Sequence, residues 1–252
     1  MDATVNEQKS DEMKAVLEFV KLLEQSQKQA QAVNVLTMAV YTKQLEEKLD
    51  TALQEISSLK SQLEEMNQEY EPESLTQYLK ETTGEMKEHY HDMKKQLTEI
   101  KAEMNEKAKE LVTVVKQEGK QALNRISEFF KIGKKLEKFH DKTKLQIKKV
   151  ENTIERIDAF ENGMRKAGQE AANAMRAIAG KERKEYLEEK VSKMSIVKKP
   201  YLEQKEHLEK MLNFTENALE KCNKLSEDVD LQNTKRLKDD EKVVPFKKGK
   251  KR

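Results

Sequence analysis

Between residues 45 and 70 the side chains Leu45, Leu49, Ala52, Ile56, Leu59, Leu63, Met66 and Tyr70 fall at alternating intervals of four and three residues, without a miss. A period of about 3.5 residues, with Glu, Lys, Gln and Ser filling the other positions, belongs to a helix that buries one narrow seam against another helix. A strand would alternate with period two, and a helix buried on all sides would not carry so many charges.

The same pattern recurs along the chain. Met13, Val16, Val20 and Leu23 form a stripe in a different phase, and the polar run "EQSQKQ" at 24–29 marks the change of phase or a short turn. Pro72 disfavours helix at Glu71, and Ser74 with Gln77 forms a capping box for a second helix. That helix carries Leu79, Met86, Tyr90, Met93, Leu97, Ile100, Met104, Leu111 and Val114, and Gly119 marks the next joint. A third seam follows through Ile147, Val150, Ile154, Ile157, Met164, Gly168, Ala171, Met175 and Ile178, with Gly180 as its stop. The last seam is Leu208, Met211, Thr215, Ala218, Cys222, Leu225 and Val229, with Pro200 in the first turn of its helix.

These readings predict an all-α chain, an elongated antiparallel helical bundle or coiled coil. Residues 1–10 are expected to be disordered, 11–70 to form a long heptad helix with a break near 24–29, and 74–118 to form a hairpin with it. Residues 120–180 form a third helical region and 182–233 two helices broken near Pro200. The tail 234–252 is expected to be disordered and basic.

Composition agrees with narrow seams. Charged residues make up 38% of the chain and apolar ones 36%, there is no Trp, and the mean hydropathy is −0.95. A thick core lacks the material, whereas thin helix-on-helix packing needs little. The net charge of +2 gives no overall field for nucleic acid, although residues 131–149 hold eight lysines against Glu137 and Asp141. The single Cys222 excludes an internal disulfide and fits a reducing, cytoplasmic compartment. The N-terminus lacks the pattern of a secretory signal. The most apolar run, "AQAVNVLTMAVY" at 30–41, is too short to cross a bilayer and reads as a fully buried helix segment.

One stretch departs from the rest. From Ala167 to Gly180, eight of fourteen residues are Ala or Gly. Gly163, Ala167 and Ala171 share a helical face with Ala179, and Gly168 and Ala172 lie beside them. Small side chains at this spacing let a neighbouring backbone come close. Interior glycines cost up to about 1 kcal/mol each relative to Ala, so helix propensity alone does not account for them. The reading is a helix-packing interface at Gly163, Ala167, Gly168, Ala171 and Ala172.

Three segments, "VLTMAVYTKQLEEKLDTALQEISSLKSQLE" at 35–64, "GKQALNRISEFFKIGKKLE" at 119–137 and "AGQEAANAMRAIAGKE" at 167–182, carry a resemblance. In their order and spacing they resemble a family of uncharacterised helical proteins, a domain of unknown function carried on mobile genetic elements of gut Firmicutes. The resemblance implies a bacterial cytoplasmic setting and a link to conjugation or element maintenance. It supplies no active site.

Nothing in the sequence assembles catalysis. The Glu88/His91 and Glu137/His140 pairs have the Glu-x-x-His spacing of di-iron bundles, but their apolar neighbours take the core positions and turn the pairs to solvent. "GMRKAGQE" at 163–170 lacks the Lys-Ser/Thr of a phosphate loop. Cys222 sits on a seam as a small apolar side chain. No catalytic residue, metal or cofactor is expected, and the chain reads as a non-enzymatic coiled-coil interaction or scaffold protein pairing with itself or with a partner protein. The alternative is a nucleic-acid-binding accessory factor. It would use Lys131, Lys134, Lys135 and Lys138 with the tail cations Lys247, Lys248, Lys250, Lys251 and Arg252. A peripheral membrane role ranks third.

Overall fold

A computed structural model of the chain describes residues 13–66, 73–119, 122–123, 126, 130–184 and 194–240. The described residues form the helices α1 (Lys14–Gln25), α2 (Gln29–Met66), α3 (Glu73–Glu118), α4 (Phe130–Ile178) and α5 (Met194–Asp240), with no strand among them. The chain is all α. Its packing divides into two units, one of Met1–Gln44, Gln96–Phe139 and Phe214–Arg252, the other of Leu45–Lys95 and His140–Asn213.

In the first unit, α1 buries Val16, Phe19, Val20 and Leu23, the i, i+3, i+4, i+7 stripe of an amphipathic helix. The break expected at 24–29 is a Schellman turn. Gln27 takes a left-handed φ of 58°, the Lys28 N–H donates to the Leu23 carbonyl at 2.9 Å, and the Gln27 N–H donates to the Glu24 carbonyl at 3.0 Å. Gly119 ends α3 with φ +80°. Ala122, Leu123 and Ile126 are buried in the connection to α4. The run at 30–41 differs from expectation. Ala32, Val35, Met38 and Ala39 are buried, but Val33, Leu36 and Val40 face outward, so only one side of the segment meets a neighbour. Tyr41 stacks on Phe214, with ring centroids 5.9 Å apart, and ties α2 to α5 in this unit.

The second unit is an up-down-up-down bundle of segments from α2, α3, α4 and α5. Its antiparallel order is written in the ion pairs. Asp92 meets Lys142 at 2.5 Å and Glu85 meets Lys149 at 3.5 Å between α3 and α4. Glu151 meets Lys205 at 2.8 Å and Asp158 meets Lys198 at 2.6 Å between α4 and α5. The heptad seam of α2 is the core-facing stripe, with Leu45, Leu49, Ala52, Ile56, Leu59 and Leu63 all buried.

Two expectations about the C-terminal third need correction. There is no break near Pro200, because α5 runs through it. The proline lies close to the helix start and costs one ladder bond, and buried Val197 and Tyr201 hold the turn on either side. Helix also continues to Asp240, so residues 234–240 are not a separate tail. The rest of the tail, with Lys247, Lys248, Lys250, Lys251 and Arg252, lies outside the described residues, as do residues 1–10.

Candidate functional site

α4 carries its seam further than its neighbours follow. Val150, Thr153 and Ile157 are buried against the other helices of the second unit. No described residue from Asp158 to Lys184 is buried, and the Asp158–Lys198 pair lies close to the start of α5. Beyond it the same heptad continues through Met164, Gly168, Ala171, Met175 and Ile178. Met164 is 58% exposed, Met175 72% and Ile178 85%. At about 1.5 Å per residue, residues 161–178 extend roughly 27 Å with an apolar stripe that nothing described covers.

The five small residues singled out from sequence lie on this overhang. Gly163, Ala167, Gly168, Ala171 and Ala172 are all exposed, and a Cβ built on Gly163 or Gly168 would meet nothing within 4 Å. Within the described chain, therefore, no helix packs on them. The overhang ends in a second Schellman turn. Gly180 has φ +67°, the Lys181 N–H donates to the Arg176 carbonyl at 2.8 Å, and the Gly180 N–H donates to the Ala177 carbonyl at 3.1 Å. The chain then folds back, and the Lys184 N–H donates to Asn173 Oδ1 at 3.1 Å. Asn173 lies on the opposite side of the helix from Ala171, so this return leaves the apolar stripe open.

A second feature, in the bundle interior of the same unit, was not foreseen from sequence. The Glu55 carboxylate accepts a hydrogen bond from Gln204 Nε2 at 2.8 Å and faces His207 Nε2 at 3.0 Å. Burial first, and the nearby Glu55 charge second, push the Tyr90 phenol well above its ordinary range. One layer away, the buried Thr83 and Tyr201 hydroxyls are 2.8 Å apart, and Tyr201 also donates to the Leu79 carbonyl at 3.4 Å. Burial drives the Tyr201 phenol up to about 12 despite the lowering effect of the Thr83 bond. Such polar contacts fix helix register, because a slipped helix would leave buried polar groups without partners.

The lysine-rich stretch divides in two. Lys135 meets Glu103 at 2.7 Å, and that hydrogen bond holds its ammonium above the usual lysine range. Lys142 and Lys149 pair with α3 as described, and Lys149 also lies 3.0 Å from His89. Lys134 and Lys138 are exposed, and the side chain of Lys131 lies outside the described residues. Glu88, His91 and Glu137 are exposed, while His140, mostly buried, lies 3.2 Å from Asp141. Among the described residues no group of three or more His, Cys, Asp or Glu is placed to hold a metal ion. No described helix is long and apolar enough to cross a membrane.

These features define an all-helical bundle protein. The chain belongs to a family of unknown function, DUF6674, whose profile matches residues 12–251. No curated protein and no solved structure matches it.

Proposed function

We propose that the protein is a non-enzymatic coiled-coil interaction protein, a scaffold that docks a second helix along the overhanging end of α4. One observation carries the reading. The seam that is buried at Val150 and Ile157 continues in register into Met164, Met175 and Ile178, where it is exposed. An apolar stripe of this kind, rimmed by polar residues, is characteristic of a surface that meets another protein. The mobile-element setting rests on the sequence resemblance alone, and the cytoplasmic one on that resemblance together with the single Cys222.

A photo-crosslinking residue placed at Ala171, on the stripe, should form adducts in the native cell. The same residue at Lys166, on the opposite side of the helix, should not. Equal labelling at the two positions, or none at either, would contradict a docking face.

The exposed Lys134 and Lys138 support a second reading, a nucleic-acid accessory role. It predicts a gel shift that weakens steeply with salt and is lost when both lysines become Ala.

A further inference from the structure

We infer that the occupant of the α4 overhang is the overhang of a second copy of this chain, paired antiparallel. The inference rests on the reading of the overhang as a docking face and names its partner.

The register carries the argument. In an antiparallel two-stranded coil each core layer sets a residue of one heptad position against one of the other. Aligning residues 161–178 of the two copies end to end produces such layers throughout. Gly168 meets Ala171 of the other copy at the centre, and Met164 meets Met175 on either side. Glu161 meets Ile178 at the ends. Small residues fill the middle and large flexible ones flank them, so one surface complements itself as an isologous contact requires. Ala167, Ala172, Ala174 and Ala179 border the seam and let the two backbones approach closely.

Charge selects the direction. The root of the overhang carries Asp158, already paired with Lys198, and Glu161 followed by Arg165 and Lys166. The tip of the helix carries Arg176, with Lys181, Glu182, Arg183 and Lys184 in the turn beyond it. Antiparallel pairing separates the two copies of Glu161 and sets each near the end of the other copy's α4, where Arg176 lies. A parallel pair would stack Glu161 on Glu161 inside the seam and gather both sets of tip cations, which is unfavourable.

Access also fits. The turn from Ala179 to Lys184 is held on the Asn173 side, so each helix tip reaches the root of the other overhang with the stripe clear. A seam of this length gives an interface at the small end of the range for specific complexes, about 1,200 Å² or less, so the dimer should be weak and depend on concentration.

Sedimentation of the purified full chain tests this. The mass should rise with concentration from 29.4 kDa toward that of a dimer, and Met175→Glu should abolish the rise without changing the monomer's helical spectrum. Direction is read from disulfides. Cys222 is buried, so introduced thiols are the ones that react. Mixing Met164→Cys chains with Met175→Cys chains under mild oxidant should give the mixed disulfide in preference to either like pair. Preferential pairing of Met164→Cys with itself would overturn the antiparallel arrangement. A chain that stays monomeric at every concentration, while Ala171 still crosslinks to a foreign protein in cells, would overturn self-pairing and leave the docking face standing. No crosslink and no dimer would remove both.

Discussion

Gly133 on α4 faces Cys222 on α5 so closely that a Cβ added to the glycine would lie 3.0 Å from the Cys222 Sγ. Cys222 is buried, so its Sγ can yield only by displacing its neighbours, and the close contact fits the absence of a side chain at position 133. Gly84, inside α3, has nothing within 4 Å of its own added Cβ. Gly84→Ala should therefore stabilise the fold by about 0.5–1 kcal/mol through helix propensity. Gly133→Ala should lose that gain and cost about 1–3 kcal/mol from overpacking. Urea unfolding measures both, and Cys222→Ala should restore much of the loss. Equal gains at the two glycines would show that the contact is slack.

The position of the close glycine shows where sequence reasoning stops. A cluster of Ala and Gly at 163–180 draws the eye, yet those residues are exposed, while the glycine that permits close approach stands alone among lysines in "FKIGKK". Periodicity identified the seams, as the buried series from Leu45 to Leu63 shows. It could not show that the α4 seam outlasts the helices covering it, because a heptad carries no information about a neighbour's length. The buried polar contacts were hidden for a different reason. Thr83 and Gln204 occupy core positions that a search for apolar residues passes over. Pro200 misled because tertiary packing on both sides outweighed its local penalty.

Thr83 and Tyr201 offer a test of the polar interior. Tyr201→Phe should cost about 1–2 kcal/mol because it removes the partner of the buried Thr83 hydroxyl. Thr83→Val should cost less, because the Tyr201 hydroxyl keeps the Leu79 carbonyl as acceptor. The two losses should not add in the double variant. Full additivity in thermal unfolding would mean the 2.8 Å contact contributes nothing.

Alkaline pH should weaken the fold through Cys222. Burial raises its thiol to about 11 from an unfolded value of 9.0. Below pH 9 the thiol is neutral in both states and its contribution is fully present. As pH rises through 9 toward 11 the unfolded state ionises first, so that contribution is lost. The Cys222→Ala variant should lose less stability over this interval. The native thiol should also resist alkylation at pH 8 until the chain unfolds. Rapid alkylation of the folded protein would contradict its burial.

One seam on α4 should give two different mutational responses. Ile157→Ala, in the buried part, should destabilise by about 2–5 kcal/mol. Ile178→Ala, at 85% exposure, should leave the melting temperature of the dilute protein unchanged. Matching losses would mean that the overhang is covered within the monomer.

The most direct test of the docking face is a cysteine scan along residues 161–178, reading the rate of thiol modification at high protein concentration against high dilution. Positions 164, 168, 171, 175 and 178 should be protected on concentration, and positions 166 and 169 should stay reactive. Protection that follows no heptad, or none at any concentration, would contradict the account.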